Sequence, residues 1–213
     1  MNFTPITTPK VVKSLFPTLT WDFPTKSKDI YLTFDDGPTP EITNWVLYTL
    51  KQFNAKATFF CIGKNVEQHP NIFQQIVKDG HSIGNHTQNH IKGWKTTTKS
   101  YLDEVILCEK VFKGQNFKSE KLFRPPYGQI TPKQIKKLQE LGYKIVMWNV
   151  LSIDWDNSLT EETCLKNVMN HAGPGSIIVL HDSVKASKNM TYVLPKILEY
   201  FTEKGFTFKR IPG

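Results

Sequence analysis

The chain has 213 residues, 39% of them hydrophobic, and carries 27 basic against 19 acidic residues, for a formal net charge of +8. This length and apolar content suit one globular domain over residues 1–213, because no composition break or low-complexity stretch divides the sequence. The lysines are spread over many segments and the only arginines are Arg124 and Arg210, so the charge does not indicate nucleic-acid binding, although weak attraction to an acidic glycan stays open.

Apolar runs typical of buried strands alternate along the chain with segments typical of helices. Strands are predicted over residues 30–34, 57–62, 82–84, 121–124, 144–149, 176–180 and 207–210. Helices are predicted over residues 40–53, 71–79, 98–113, 131–141, 161–171 and 191–204. The fourth of these helices starts with Thr131 as an N-cap before Pro132. The alternation predicts an α/β fold with parallel strands, whose carboxyl ends meet at one rim.

The first predicted strand ends in two adjacent carboxylates, Asp35 and Asp36, followed by the turn residues Gly37 and Pro38. Two unpaired aspartates at the end of a buried strand are costly unless a metal ion, an arginine or a reaction compensates for them. These four residues alone are better explained by a turn in which an aspartate caps a helix. Their interpretation therefore depends on the rest of the chain.

Two histidines further along the chain have the spacing of metal ligands. His86 and His90 are four residues apart, so on a helical turn both imidazoles would face one cation. Two surface histidines would show the same spacing, and the pair by itself is only suggestive.

Three later segments also place polar residues beside apolar runs. Arg124 precedes two prolines, Asp154 and Trp155 follow the apolar run 145–150, and His181 follows the predicted strand 176–180. Each segment by itself could be structural. Together with the two earlier segments they form a series of five motifs.

These five segments, in this order, closely resemble the motifs of the polysaccharide deacetylase family, the NodB-homology domain of carbohydrate esterase family 4. The similarity extends from about residue 30 to residue 208, and five ordered motifs are far harder to match by accident than one. The resemblance implies a single catalytic domain over residues 1–213, with residues 1–29 as an N-terminal extension. The implied fold is a distorted, incomplete (β/α) barrel of about seven strands. It also implies a metal-dependent hydrolase that removes N-acetyl groups from N-acetylglucosamine-containing glycans of the peptidoglycan or chitin type and releases acetate.

The resemblance further implies a role for each motif residue. Asp36, His86 and His90 correspond to the metal ligands, with zinc as the default ion and cobalt, nickel, manganese or iron also compatible. The other implied roles are Asp35 as the catalytic base, Arg124 as its brace, the Tyr127 N–H as an oxyanion donor, Asp154 as the residue that orients the general acid His181, and Trp155 and Leu180 as walls of the acetyl pocket.

These residue types suit amide hydrolysis, which needs an activated water, a polarised carbonyl and a proton for the leaving amine. A divalent cation with three protein ligands keeps positions open for water and for the carbonyl oxygen, and it lowers the pKa of the water to about 7. An aspartate near a cation and an arginine stays ionised, as a base must. A histidine paired with an aspartate favours the imidazolium, which can donate a proton.

The pocket is expected to differ from that of many family members at one position. The family often carries an additional aspartate three residues before its Asp-Trp pair, where this chain has Leu151, which predicts a change in pocket polarity and in substrate preference. Trp155 and Trp94 are candidates for contact with a sugar. Trp45 and Trp148 lie within apolar segments and are expected to pack in the core.

Other functions stay open at this stage. The same residues could hydrolyse an O-acetyl ester, as in acetylated xylan, or a small-molecule amide. An Fe(II) oxygenase with two histidines and one carboxylate would leave Asp35 and the His181–Asp154 pair without a role. A glycan-binding protein without turnover would be expected to have lost a ligand, the base or the acid, and all of these are present.

Compartment and assembly are not decided by the sequence. The three cysteines are odd in number and lack paired spacing, so neither a disulfide framework nor a zinc–thiolate site is expected. Residues 1–20 lack the continuous apolar core of a signal peptide and no segment is long enough to span a bilayer, which makes a cytoplasmic protein the default expectation. A cell-wall glycan substrate would instead favour export, and the oligomeric state is open.

Overall fold

The structure is a computed structural model that describes residues 5–213. Within this range, eight strands form one sheet and all seven strand pairings are parallel. The strands are Asp29–Asp35 (β1), Ala57–Cys61 (β2), Ser82–Asn85 (β3), Leu122–Phe123 (β4), Lys144–Ile145 (β5), Val150–Leu151 (β6), Ile177–His181 (β7) and Thr207–Phe208 (β8). The α-helices are Lys10–Leu15 (α1), Ile42–Gln52 (α2), Gly63–Gln68 (α3), Pro70–Lys78 (α4), Thr98–Gly114 (α5), Pro132–Glu140 (α6), Glu161–Met169 (α7) and Ser187–Glu203 (α8).

Strand β1 lies in the middle of the sheet and is buried on both faces. On one face, Ile30, Leu32 and Phe34 pack into the largest hydrophobic core. The alternate residues Thr33 and Asp35 face the inside of the curled sheet, where both bind the same arginine. Because side chains alternate between the faces of a strand, an apolar run that ends in aspartate can fill a core on one side and deliver a carboxylate to the rim.

The sheet is curled into an incomplete barrel. Its strand order is β5-β4-β3-β2-β1-β7-β6, with β8 beside β1, so β5 and β6 lie at opposite edges. Only residues 146–149 connect these two strands, and a chain of this length reaches at most about 18 Å. The two edges must therefore approach each other, which confirms the predicted distorted, incomplete barrel.

The segment that precedes β1 lies between the two edges of the sheet. The Thr20 N–H donates to the Ile145 carbonyl at 2.9 Å, and the Met147 N–H donates to the Thr20 carbonyl at 2.7 Å. At the other edge, the Leu151 N–H donates to the Ile6 carbonyl at 2.8 Å. The predicted N-terminal extension includes residues 1–4, which lie outside the described residues. Its described part closes the gap in the barrel.

The predicted elements are present with three differences. The strand predicted over residues 144–149 is wrong: β5 ends at Ile145 and a separate strand, β6, begins at Val150, because the chain crosses from one edge to the other within one continuous apolar run. Helices α1 and α3 were not predicted, since six residues are too few to show a clear helical period. The predicted cap of α6 is confirmed, and Thr131 forms a capping box with Gln134.

No α-helix within residues 5–213 has the length and apolar character needed to cross a bilayer.

Candidate active site

A cavity of about 510 Å³ opens at the rim formed by the carboxyl ends of the strands. Asp35 ends β1 and His181 ends β7, while His86 directly follows β3 and Arg124 directly follows β4. The parallel sheet thus brings together residues that are distant in sequence. Seven of the predicted site residues line this cavity: Asp35, Asp36, His86, His90, Tyr127, Trp155 and His181.

Asp36, His86 and His90 form a group with the donor set of a metal site. One oxygen or nitrogen atom from each residue lies within 4.8 Å of the others. The Oδ1 atom of Asp36 is 3.7 Å from Nε2 of His86 and 3.2 Å from Nε2 of His90. This oxygen is buried and has no hydrogen-bond partner among the described residues, which is costly for a carboxylate unless a cation binds there. The group therefore fits a divalent metal ion.

Both histidines are held in the neutral form that binds metal ions. Burial lowers the pKa of His86, and burial together with the neighbouring His86 lowers the pKa of His90 to about 4, against the opposing effect of Asp36. The Nδ1–H of His86 donates to the Arg124 carbonyl at 2.8 Å. This bond leaves Nε2 of His86 available as a ligand.

The two histidines do not lie on a helical turn, contrary to the arrangement suggested by their spacing. Residues 86–90 form an irregular loop in which Thr87 has a φ of 65° and His90 a φ of 54°, both in the left-handed region. Two reversals of the backbone bring the imidazoles together. The two imidazoles thus lie side by side as they would on a helix, but left-handed residues in a loop bring them together.

The unpredicted helix α3 holds both segments that carry the metal-ligand group. At its N-terminus, the Gly63 N–H donates to the Thr87 carbonyl at 3.0 Å, which secures the histidine loop. The side chain of Asn65 donates to the Asp36 carbonyl at 2.7 Å, which secures the turn after β1. Amide groups at the start of a helix lack partners within it and are available for such contacts.

Asp35 forms a buried ion pair with Arg124, with 2.7 Å between Oδ1 and Nη1. The enclosed Arg124 also donates to the Thr33 hydroxyl at 2.7 Å and to the carbonyls of Val146 and Met147 at 3.2 and 2.9 Å. All three guanidinium nitrogens therefore have partners, as a buried arginine requires. Arg124 links the inner face of β1 to the segment that connects β5 and β6.

The charge of Arg124 keeps Asp35 ionised. Burial alone would raise the pKa of Asp35, but Arg124, with a smaller effect from the protonated His181, lowers it below its usual value. Asp35 is thus a carboxylate at neutral pH, with one oxygen tied to the guanidinium and the side chain bordering the cavity.

Asp154 and His181 form the second charged pair of the cavity. Oδ1 of the fully buried Asp154 is 2.8 Å from Nδ1 of His181, and Oδ2 accepts the His181 N–H at 2.8 Å. Burial opposes the imidazolium, but the charge of Asp154 and its hydrogen bond raise the pKa of His181 to about 9. The ring of Trp155 meets the His181 ring edge-on, with 4.8 Å between centroids. His181 is therefore an oriented, protonated imidazole at neutral pH.

Tyr127 lies in a single 3-10 turn, Pro126–Gly128, with φ 59° and ψ 11°. Its ring is 4.6 Å from the ring of His90 and its side chain is half-exposed at the cavity. Trp94 is 67% exposed and is not among the cavity-lining residues; its indole N–H donates to the Ile130 carbonyl at 3.2 Å. Tyr127 is thus placed beside the metal-ligand group, whereas Trp94 stands away from the cavity.

The structure corrects one predicted pocket residue. Leu180 lies in the largest hydrophobic core, while its sequence neighbours Val179 and His181 line the cavity. The reason is the alternation of side chains along β7. Leu151 and Trp148 also line the cavity, so Trp148, which was expected to pack in the core, contributes to the pocket wall as well.

Several buried or half-buried polar residues that support the site were not predicted from the sequence. Asn65 and Asn189 are examples: the side chain of Asn189 donates to the Asp154 carbonyl at 3.1 Å. Polar residue types in short or helical segments give no signal that they are buried. Asp182 is the exception, since it directly follows His181 at the end of a predicted strand and so carries the same sequence signal.

Comparisons with known proteins agree with this geometry. The sequence profile of the family described as polysaccharide deacetylase matches residues 22–146. One protein of Bacillus cereus named peptidoglycan-N-acetylglucosamine deacetylase is 38% identical over 200 residues, covering 92% of this chain and 93% of its own length. A second B. cereus protein of the same name is 37% identical over 191 residues, covering 89% and 69%.

The solved structure of a peptidoglycan N-acetylglucosamine deacetylase, in complex with a naphthalenyl N-oxidanyl-benzamide, superposes on this fold with a TM-score of 0.89. It is 34% identical and covers 96% of this chain and 95% of that one. The resemblance inferred from the five motifs is thereby confirmed, and the chain belongs to the polysaccharide deacetylase family of hydrolytic enzymes.

Proposed function

We propose that this chain is a metal-dependent deacetylase that hydrolyses the N-acetyl group of N-acetylglucosamine residues in peptidoglycan and releases acetate. The observation that carries the proposal is the grouping of Asp36, His86 and His90 beside Asp35 and His181 around one cavity. The names of the B. cereus relatives support peptidoglycan as the glycan.

Asp36, His86 and His90 would hold one divalent ion, and we take zinc as the first candidate because one carboxylate and two imidazoles suit it. When bound, such an ion polarises a carbonyl oxygen and lowers the pKa of a coordinated water. The unpartnered, buried Oδ1 of Asp36 and the neutral state of the two histidines support this assignment.

Asp35 would act as the general base. As the water oxygen bonds to the carbonyl carbon of the acetyl group, the carboxylate of Asp35 accepts the proton that the water loses. Arg124 supports this role in two ways: it keeps Asp35 ionised, and its 2.7 Å hydrogen bond fixes the orientation of the carboxylate. A positioned base of this kind contributes about 10²–10⁴-fold to the rate.

His181 would act as the general acid. Its Nδ1 is bound to Asp154, so Nε2 is the ring nitrogen that can donate a proton at the cavity. As the carbon–nitrogen bond breaks, this proton passes to the leaving nitrogen, and the products are acetate and a glucosamine amine. The ion pair with Asp154 supports the role because it keeps the imidazole protonated until the transfer.

Several other cavity residues suit an acetyl group. Leu151, Val179 and Trp148 provide an apolar wall on which a methyl group can be buried. Tyr127 borders the cavity next to His90, and its backbone N–H is our candidate for an oxyanion donor.

The proposal is tested by acetate release from a peptidoglycan-derived oligosaccharide that contains N-acetylglucosamine. The full chain is stripped with a chelator and assayed before and after addition of Zn²⁺ or Co²⁺, with an N-acetylglucosamine oligomer and acetylated xylan in parallel. We expect release from the N-acetylated glycans that is lost on stripping and restored by metal.

Three results would contradict the proposal. Release from acetylated xylan alone would assign an O-acetyl esterase. Binding of the glycan without release, by folded and metal-loaded protein, would assign a binding role. Full activity after removal of all metal would exclude the assigned role of Asp36, His86 and His90.

A further inference from the structure

Asp182 is a fully buried carboxylate next to the turn that carries Asp35 and Asp36. It has no role in the reaction steps above, and within residues 5–213 it forms no ion pair. Its Oδ1 accepts the Gly37 N–H at 3.1 Å, and its Oδ2 accepts the hydroxyl of Thr43 at 2.6 Å. The first bond is to the turn after β1, and the second is to the first turn of α2.

The main chain of Asp182 binds the other side of the same turn. Its N–H donates to the Asp35 carbonyl at 3.2 Å, which extends the pairing of β1 and β7 by one residue. Asp182 therefore contacts the residue before Asp36 through its backbone and the residue after Asp36 through its side chain. Asp36 lies between two fixed points.

The conformation of Asp36 makes this fixation necessary. Its φ is 80°, in the left-handed region that residues other than glycine rarely adopt. A residue in such a conformation persists only where its surroundings hold it. The carboxylate of Asp182 supplies one constraint, and the bond from Asn65 to the Asp36 carbonyl at 2.7 Å supplies another.

The sequence of the turn is adapted to the carboxylate. A Cβ atom added to Gly37 would lie 2.0 Å from Oδ2 of Asp182, so only glycine permits this approach. Thr43 extends the contact, because its hydroxyl donates to Asp182 and accepts the Thr39 N–H at 2.7 Å. The amides of residues 37 and 39 are thus held through one buried side chain.

We propose that Asp182 is a positioning residue that holds the Asp36 carboxylate in its metal-binding orientation by fixing the backbone on both sides of it. The inference rests on the proposed metal site. Asp182 does not touch the reacting atoms. Its removal should therefore weaken the binding of metal, which a purely structural residue would leave intact in the folded protein.

The test is the Zn²⁺ affinity of the full-length Asp182→Asn variant, measured by competition with a chromophoric chelator. Asparagine keeps the shape of aspartate, but its amide N–H groups face at least one of the two donors, Gly37 N–H or the Thr43 hydroxyl. We expect affinity to fall about 10–100-fold, the usual effect of losing a residue that orients a metal ligand. The absorption spectrum of the Co²⁺ form should change as well.

Asp29→Asn is the matched control. Asp29 is also a buried, hydrogen-bonded aspartate, but it begins β1, at the end opposite the cavity, and binds Ser27, Thr207 and Lys209. We expect this variant to lose thermal stability while it binds Zn²⁺ as tightly as the unmodified protein.

A second pair of variants tests the contact between Asp182 and the Thr43 hydroxyl, and it replaces the first test if Asp182→Asn does not fold. Thr43→Val removes the hydroxyl and should reduce Zn²⁺ affinity. Thr43→Ser keeps the hydroxyl and should bind Zn²⁺ as tightly as the unmodified protein. Unchanged affinity in folded Asp182→Asn or Thr43→Val would overturn the inference, as would an equal loss in Asp29→Asn. Absence of Zn²⁺ binding by the unmodified protein would overturn both the inference and the proposed metal site, whereas Zn²⁺ binding without acetate release would contradict the proposed function alone.

Discussion

Asp35 and His181 are directly paired residues in the parallel register of β1 and β7. Neighbouring strands lie about 4.8 Å apart, so the spacing of the two side chains is set by the sheet and not by flexible loops. Asp35 is held by Arg124 and His181 by Asp154, each through a hydrogen bond of less than 3 Å. The proposed base and acid are thus both rigid and oppositely charged.

Asp35→Asn should abolish turnover and retain the metal. The amide cannot accept the proton of the attacking water, so we expect kcat to fall by about 10²–10⁴-fold, while Asp36, His86 and His90 remain in place. The measurement is acetate release together with the zinc content of the purified variant. Asp103→Asn, an exposed aspartate on α5, is the control. Activity of Asp35→Asn near that of this control would remove Asp35 as the base.

His86→Ala should weaken metal binding. His86 is one of the three proposed ligands and the most buried of them. Its loss should therefore reduce Zn²⁺ affinity by more than about 100-fold, beyond the usual effect of losing an outer residue. The exposed His171, two residues after the end of α7, provides the control variant His171→Ala. Equal zinc content in the two variants would contradict the ligand assignment.

The rate should fall as the pH rises through about 9. The pKa of His181 is raised to about 9 from an ordinary value of 6.5, so the imidazolium that donates the proton is present below pH 9 and lost above it. The same shift stabilises the fold: this contribution is complete below pH 6.5 and disappears as the pH rises through 9.

Asp154→Asn tests the cause of this shift. The charge of Asp154 is the largest effect that raises the pKa of His181 against burial. Without this carboxylate the pKa of His181 should fall, and the alkaline limb of the kcat profile should move to lower pH. The pH–rate profiles of both proteins provide the measurement, with NMR titration of His181 in the metal-free proteins as a second one. An alkaline limb at the same pH in both proteins would show that His181 is not the group that titrates.

Val179 and Leu180 should respond in opposite ways to substitution. Val179→Phe places a ring on the cavity wall and should reduce kcat/KM for the acetylated glycan at least about tenfold. This corresponds to an increase of about 1.4 kcal/mol in the activation free energy, caused by steric crowding of the substrate. Leu180→Ala removes a core side chain and should lower the free energy of unfolding by about 2–5 kcal/mol, with little change in kcat/KM. Urea unfolding and steady-state kinetics separate the two effects. A larger kinetic defect in Leu180→Ala would restore Leu180 to the pocket.

The residues of the candidate site could be predicted because their motifs are local, and the resemblance to the family gave each of them its expected role. An apolar run that stops at Asp35 and Asp36 marks a strand end, and the same pattern recurs before Asp154 and His181. Parallel strands carry such ends to one rim, so converging carboxylates and imidazoles follow from the pattern. The capping box of Thr131 and Gln134 is likewise a relation between near neighbours.

Other features were beyond reach because they depend on how distant segments pack. Residues 145–151 form an apolar run in the sequence that only Asn149 interrupts, yet its two ends belong to opposite edges of the sheet. The six-residue helix α3 shows no clear period, yet its Asn65 holds Asp36. In both cases the local sequence does not specify which distant segment the residues will contact.

The sequence by itself determined the strand ends and the carboxylates and imidazoles that lie at them, because each motif is encoded by residues within a few positions of one another. The family resemblance of these motifs supplied their proposed roles. The tertiary structure alone decided which side chains face the cavity and what holds them. Val179 lines the pocket in place of Leu180 because of the face that β7 turns inward. Arg124 reaches Asp35 across 89 positions, and Asp182 reaches Gly37 across 145. Such contacts form only when the sheet has curled. Local sequence preferences do not specify which distant group will satisfy the hydrogen-bonding needs of a buried charge.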